Sequence, residues 1–533
     1  MSGLGKGVVT ASIAKLLSLC GYNVTCVKID PYLNVDAGTM NPIIHGEVFV
    51  TEDGGETDMD LGTYERFLDK DLPKTHNITT GQVYSKVIED ERKGVYLGEC
   101  VQIIPHITDE IKRRIRLAGE ASHADIVVVE CGGTVGDIEG LPFYESLRQM
   151  RMEEGRENTF FVHVTLAPLL PRGEQKTKPT QHSVQELRRI GIQPDMIVVR
   201  SKVMLSEQSK SKISLFANVE RDAVVSSPDL ESIYSLPLVM EEEGVLRIIG
   251  EKLNLNTDIN WGDWREIARS FLEYNEVVKI ALVGKYLTQA DAYVSVHHAL
   301  MHAGAKQGCK VDISWIDAER LESDPDYLES LSDYDGILIP GGFGKRGSEG
   351  KILAADYARI HGIPFLGICF GFQLSLVSFA RHVCGLEDAN STELDPNTSN
   401  PVVDLLPEQK EVAKLGATMR LGACNIYLVE GTLAHRLYGS RVIRGRHRHR
   451  YEFNMNYRKV FEENGAVFSG FSERGLVEIF ELPSHPYYIA TQYHPEFRSR
   501  PGRPEPVYYG FIRASRERKV KRASKASPLS KPS

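Results

Sequence analysis

The residues best placed by type and spacing to do covalent chemistry surround Cys369, in the run Gly367-Ile368-Cys369-Phe370-Gly371. Just before it, Ile363-Pro364-Phe365-Leu366 reads as a buried strand, and Gln373 to Val377 continues at helical spacing. A strand turning sharply into a helix, with glycine two places either side of the central residue, is the nucleophile-elbow pattern with Cys in place of Ser. The glycines answer to backbone segments that approach too closely for a Cβ. The N-terminus of the following helix favours a thiolate. On this stretch alone, a structural cysteine behind a core strand is an equal reading. Far downstream, the strand Tyr487 to Tyr493 leads into His494-Pro495-Glu496-Phe497. Residues two apart on an extended segment point the same way. Glu496 would then hold the His494 ring while its other nitrogen takes the Cys369 proton, which favours the nucleophilic reading. The strand and glycine-rich loop Asp335 to Gly344 can offer backbone N–H groups to an oxyanion.

A second chemistry is written near the N-terminus. Gly3-Leu4-Gly5-Lys6-Gly7-Val8 is a glycine-rich loop carrying a lysine and running into a helix from Thr10 to Leu19, the form that cradles phosphates. The full Walker spacing is absent, with Gly7 where Ser or Thr would stand. Such a loop hangs from a buried strand. None precedes it in this sequence, so a first strand is expected to be missing through a late start. A chain beginning here is expected to be unstable or inactive in that half. The acid-rich run Thr51 to Asp60 is either a solvated loop or a magnesium site beside the phosphate loop. Asp125 to Glu130 is a buried parallel strand, followed by Gly132 to Glu139, where α/β folds bind ligands. Lys176 to Ser183, with two lysines and several hydroxyls, suits a polyphosphate or a solvated loop equally. The basic stretch Arg444 to Tyr451 reads as a solvated or nucleic-acid patch.

The elements that must position these residues fill a chain of 533 residues, too long for one core, so two large domains are expected. Apolar content of 42% and charged content of 25% are ordinary for a globular protein, and a net charge of −9 argues against a general nucleic-acid binder. Eight scattered cysteines with no C-x-x-C pair indicate a reducing compartment, without a disulfide framework or a zinc site. No apolar run has membrane-spanning length and no signal peptide is evident, so the chain is expected in the cytoplasm with no membrane partner. The strand and helix pattern divides into an α/β domain over 1–253 and a linker over 254–276 containing Trp261, Trp264 and a short amphipathic helix. A second α/β domain spans 277–515, and a basic disordered tail 516–533.

Taken with SGLGKG, KIDPYLNVDAGTM, HGEVFVTEDGGETDMDLGTYERF, ECGGTVGDIE, KTKPTQHSV, PGGFGKRG, GICFGFQ, NSTE, GATMRLG, RHRHRYE and HPEF, the chain resembles the CTP synthase family from Ser2 to about Ala514. Its second half alone resembles a class I glutamine amidotransferase. The resemblance implies two doubly wound, mainly parallel-sheet Rossmann-like domains, a P-loop-type synthetase followed by the amidotransferase. It implies ATP-dependent amination of UTP to CTP with ammonia from glutamine, as the last step of CTP biosynthesis. Cys369, His494 and Glu496 would form the triad. Gly342, Phe370, Gly371, Phe372, Gln373, Glu393 and Arg450 would line the glutamine site, with the backbone at Gly342 and Phe370 holding the oxyanion. Gly3, Leu4, Gly5, Lys6, Gly7, Val8, Lys28 and Asp60 match the ATP site, and Asp60 and Glu130 the Mg²⁺ ligands. Ser2, Asp137, Ile138, Glu139, Lys176, Thr177, Lys178, Pro179, Thr180, Gln181 and Lys212 match the UTP site, which overlaps that of the inhibitor CTP. Gly416 to Gly422, with Arg420, match a lid that responds to the activator GTP. The family also implies a homotetramer. A different glutamine-dependent ligase, of the cobyrinic-acid amidase kind, and a non-catalytic filament subunit are rival readings. KTKPTQ and GDIE speak against the first and the intact triad against the second.

Overall fold

The computed structural model describes residues 3–41, 45–285, 290–406 and 419–526. It has two compact units, Met1–Met40 with Glu56–Leu272, and Asn41–Gly55 with Glu273–Ser533.

In the first unit, α1 (Lys6–Leu19) is apolar along most of its length and buries Val9, Ala11, Ile13, Leu16 and Leu17. The helix starts four residues earlier than its sequence pattern suggests, so Lys6, Gly7 and Val8 occupy its first turn and the loop proper is Gly3–Gly5. Strand β1 (Val24–Asp30) is buried at every residue, the mark of a parallel strand covered on both faces. Helix α2 (Met59–Leu68) is capped by the Asp58 carboxylate, which accepts from the Asp60 N–H. Strands β2 (Asn77–Thr79) and β3 (Ile126–Cys131) flank β1 in a parallel sheet of order β2-β1-β3, with Lys28 level with Glu130. Next come β4 (Val162–Leu166), α3 (Lys178–Arg189), β5 (Met196–Ser201), α4 (Glu207–Ala217) and β6 (Val224–Pro228). These three strands form a separate parallel sheet, β4-β5-β6, so the parallel architecture comes as two three-stranded sheets. The expected linker is mostly part of this unit. Its helix, Trp264–Ser270, buries Trp264 against Phe67 and Tyr234, with ring centroids 5.6 and 6.2 Å apart. An indole that large holds its segment against the unit, which therefore runs on to Leu272.

The second unit is built on a nine-stranded sheet. Its strands are β7 (Glu276–Gly284), β8 (Cys309–Asp317), β9 (Gly336–Ile339), β10 (Phe365–Ile368), β11 (Arg420–Leu428), β12 (Val442–His449), β13 (Val467–Ser472), β14 (Val477–Glu481) and β15 (Tyr488–Thr491). The order is β8-β7-β9-β10-β15-β14-β13-β11-β12, parallel from β8 to β15 and antiparallel beyond. Helix α5 (Phe370–His382) follows β10 and is buried through most of its length. The basic stretch Arg444–Tyr451 proves to be largely sheet: Arg446, His447 and His449 on β12 are buried while Arg444 stays exposed, so it is not the continuous basic patch expected. Helix α6 (Pro506–Ala526) continues through Arg516–Ala526, where a disordered tail is expected. Its basic side chains find acceptors: Arg516 Nε donates to Glu276 at 2.6 Å, Lys519 to the Val277 carbonyl at 2.5 Å and Arg522 to the Asp333 carbonyl at 3.0 Å.

The segment from Asn41 to Gly55 belongs to this second unit although it precedes it by more than 200 residues. The strand Val48–Val50 is wholly buried. The Glu47 carboxylate accepts from the Ser295 N–H at 3.2 Å and from its hydroxyl. Phe49 sets its ring edge-on to Phe497 at 5.0 Å, and Arg446 donates to the Val50 carbonyl at 3.0 Å. Glu52 pairs with Arg498. The acid-rich run is therefore divided. Glu52 belongs to the second unit, and only Asp58 and Asp60 reach the lysine cluster of the first.

Candidate active site

Cys369 sits at the mouth of α5 with φ 52° and ψ −99°, a strained conformation held because its N–H donates to the Thr491 carbonyl at 2.7 Å. This is the elbow that the glycine spacing predicts. A Cβ on Gly371 would lie 2.1 Å from the Ile339 carbonyl oxygen, so only glycine lets α5 seat flush on β9. The Cys369 sulfur lies 3.7 Å from the Arg448 carbonyl and 3.9 Å from Gln492 Nε2. His494 Nδ1 donates to Glu496 Oε1 at 2.7 Å, while Nε2 is buried with no hydrogen-bond partner. The two residues meet through a single 3₁₀ turn, Pro495–Arg498, and not along the extended segment expected. Burial opposes charge on the His494 ring. The Glu496 carboxylate and the neighbouring Cys369 sulfur outweigh it and hold the imidazolium up to about 10. The arrangement is thus a cysteine on a strained elbow beside a histidine held in its charged form, a pair able to give a proton to a leaving amine.

Around it, Glu393 accepts from the Gly344 N–H at 2.7 Å and is raised by burial, with Arg450 close enough to oppose the shift. Arg450 Nε is buried without a hydrogen-bond partner. A carboxylate and a guanidinium near each other suit the two charged ends of an amino acid. Gln373 donates to the Tyr451 carbonyl at 3.0 Å, and Phe370, Gly371 and Phe372 fill the first turn of α5. Gly342 lies beside a group that the motifs do not reveal: Lys351, buried, with its ammonium 5.3 Å over the Phe370 ring and pushed by burial down to about 7. Gln492 and Arg448 also escaped sequence reading, since they touch Cys369 through one side chain and one carbonyl.

In the first unit, Lys28 is buried amid four carboxylates. Its ammonium bonds Asp60 and, at 3.1 Å, Glu130, with Asp58 and Asp30 at 3.7 and 3.8 Å. Tyr64 donates to the other Glu130 oxygen. The acids outnumber the nearby cations. Burial and the neighbouring Asp58 push Asp30 up to about 8, and burial with Asp60 pushes Glu130 up to about 7. A hard dication with oxygen ligands fits such a cluster. Gly7 abuts it: a Cβ there would lie 2.0 Å from Asp60 Oδ1. Gly3 and Gly5 take the left-handed φ values that bend the loop. Leu4 stands between them and Val8 follows in the helix. Asp30, Asp58 and Tyr64 were not singled out by sequence; Asp58 lies in the acid-rich run, but strand order alone could not place it.

Of the other residues matched to the nucleotide sites, most lie at the surface, apart from the buried Lys28 cluster. Asp137, Ile138 and Glu139 are exposed in the loop after β3. Lys176, Lys178 and Pro179 are exposed at the start of α3, and Lys212 on α4. Thr177, Thr180 and Gln181 are buried beneath them: Gln181 donates to Thr177 Oγ1 at 3.0 Å and Thr180 to the Leu166 carbonyl at 3.1 Å. Ser2 and Gly416 lie outside the described residues. Arg420 is not a free lid residue here. It bonds Glu452 at 2.9 Å and Glu478 at 2.7 Å, both buried.

Residues 1–255 match the family described as CTP synthase N-terminus, and residues 289–514 match glutamine amidotransferase class-I. A CTP synthase of Methanopyrus kandleri is 56% identical over 519 residues, covering 97% of each chain. One of Saccharolobus solfataricus is 56% identical over 519 residues, covering 96% of this chain and 97% of that one. The Trypanosoma brucei glutaminase domain solved with bound acivicin is 38% identical, covers 45% of this chain and 94% of that one, and superposes with a TM-score of 0.43. With an elbow cysteine and its histidine–glutamate pair in one unit, and a glycine loop over a lysine–carboxylate cluster in the other, the chain belongs to the CTP synthase family, glutamine-hydrolysing enzymes that aminate UTP to CTP at the expense of ATP.

Proposed function

We propose a division of labour between the two units, each with its own residues. In the second unit the Cys369 thiolate attacks the glutamine amide carbon, His494 protonates the departing amide nitrogen so that neutral ammonia leaves, water then hydrolyses the Cys369 thioester to free glutamate, and Glu496 favours the charged ring and orients it. Glu393 and Arg450 hold the amino and carboxylate ends of glutamine, and the backbone at Gly342 and Phe370 takes the oxyanion. In the first unit ATP phosphorylates the uracil oxygen of UTP, turning a poor leaving group into phosphate. Ammonia displaces it, giving CTP, ADP and phosphate beside the glutamate already released. Lys6 and Lys28 neutralise the phosphates in flight. Asp60 and Glu130 would hold Mg²⁺, which supplies charge neutralisation between two polyphosphates. Asp137–Glu139, Lys176–Gln181 and Lys212 form the UTP site, shared in part with inhibitory CTP, and GTP acts through Arg420 and its lid. The enzyme works as a cytoplasmic homotetramer.

The observation that supports this reading best is the coexistence of two chemically complete clusters that share no residue: Cys369–His494–Glu496, and Lys28–Asp60–Glu130 beneath the Gly3–Gly5 loop. Ammonium has no lone pair, so the nitrogen must arrive as neutral ammonia. A Cys369→Ala chain should lose glutamine-dependent CTP formation and keep the ammonia-dependent reaction, measured as CTP released from UTP and ATP. Loss of both together would sink the proposal.

A further inference from the structure

Beside the Cys369 site, where Arg448 of β12 sets its carbonyl 3.7 Å from the Cys369 sulfur, three strands of the second unit bring together side chains that no motif assigns. Cys424 on β11, His447 on β12 and Glu478 on β14 each offer one ligand atom, all three within 4.8 Å of one another. Cys424 Sγ is 3.1 Å from His447 Nε2, which is 3.6 Å from Glu478 Oε2. Ligands at tetrahedral zinc bond lengths lie about 3.4–3.6 Å apart. Glu478 is fully buried, and its Oε2 has no hydrogen-bond partner, because Arg420 takes only Oε1.

The orientation of His447 is fixed from behind. Arg420 Nη2, which can only donate, lies 3.5 Å from His447 Nε2, so that nitrogen carries the lone pair and His447 Nδ1 the proton. His449 Nδ1 faces the Tyr451 carbonyl at 3.1 Å and must donate to it. His449 Nε2 therefore accepts, at 3.0 Å, from His447 Nδ1. That leaves the lone pair of His447 Nε2 turned toward Cys424 and Glu478. A histidine whose second nitrogen donates to a fixed acceptor is how metal sites set the tautomer.

We propose that Cys424, His447 and Glu478 form a site for a thiophilic divalent cation of the zinc class. Cys424 gives its thiol proton to solvent as the sulfur–metal bond forms, and water completes the coordination. Thiolate and carboxylate balance the dication. Arg420 now fills the cationic seat, its Nη2 lying 3.2 Å from Cys424 Sγ and 3.5 Å from His447 Nε2. Metal and guanidinium therefore compete, and Arg420 keeps Glu452 as its partner when displaced. The linear spacing of the cysteines could not show this site, since its ligands come from three different strands.

The test is titration of the full-length chain with Co²⁺, in the Cys369→Ala background so that the nucleophilic thiol contributes nothing. One equivalent per chain should bind with near-ultraviolet thiolate-to-cobalt absorption. Cys424→Ser should abolish that absorption, and His449→Ala, by releasing the tautomer, should weaken binding roughly 10- to 100-fold. Arg420→Ala should tighten it. Absence of the absorption in the parent, or its survival in Cys424→Ser, would overturn the site. Unchanged affinity in Arg420→Ala would overturn the competition.

Discussion

At the level of single residues, the triad we propose would let one carboxylate set a working pH. His494 is held up to about 10, above the ordinary histidine value, by Glu496 against the cost of burial. A raised pKa of this kind stabilises the fold fully below the unfolded value near 6.5 and is lost as pH rises through about 10. Glutamine hydrolysis should therefore stay level through neutrality and fall only in that alkaline range. Glu496→Gln should bring the fall to lower pH and reduce the plateau, read from a pH–rate profile of glutamate release. An unmoved alkaline limb would assign the charge to something other than Glu496. On the other unit, Gly7→Ala would push its Cβ into the Asp60 carboxylate that Lys28 holds. A misplacement on the order of 1 Å costs roughly 10²-fold in rate. ATP-dependent amination should drop by about that factor while glutaminase activity stays, measured on the same preparation. That Cys369 would meet His494 and Glu496 was readable from motif spacing, whereas Lys28, Asp60 and Glu130 were named together only through the family resemblance. Lys351, Tyr64 and Gln492 were not readable, since each matters only through a neighbour distant in the chain.

Among elements, the helix seated on a sheet through a missing side chain decides the position of the nucleophile. Gly371→Ala would drive a methyl against the Ile339 carbonyl, a backbone atom that cannot swing aside. The unit should lose about 1–3 kcal/mol, and the Cys369 elbow should relax, so both its melting temperature and its labelling by a glutamine-like electrophile should fall. Labelling at the parental rate would show that the seat does not set the elbow. Strands with unbroken apolar runs, such as Met196–Val199 in β5, were plain from sequence because burial on both faces leaves no alternation. The strand β12 was not: three arginines and two histidines in its sequence point to solvent. Glu478, which accepts from Arg420 on the neighbouring strand, and the Val50 carbonyl, which accepts from Arg446, come from elsewhere in the chain.

For the whole molecule, the important feature is that the second unit is not one continuous piece. Residues 41–55 contribute buried groups to it, Phe49 and Glu47 foremost. A fragment of residues 273–533 should accordingly melt below the intact unit, and added peptide 41–55 should raise its melting temperature in a concentration-dependent way. A fragment indifferent to the peptide would make the segment a passenger. The same arrangement has a consequence for synthesis. Glu52 and its partner Arg498 are 446 residues apart in the chain. At ribosomal speeds of about 5–20 residues per second, that interval lasts roughly 20 to 90 seconds. Throughout it, the aromatic and acidic side chains of an early-born strand wait without the partners that bury them, so the nascent polypeptide is a natural client for chaperones that shield apolar segments until the last strands emerge.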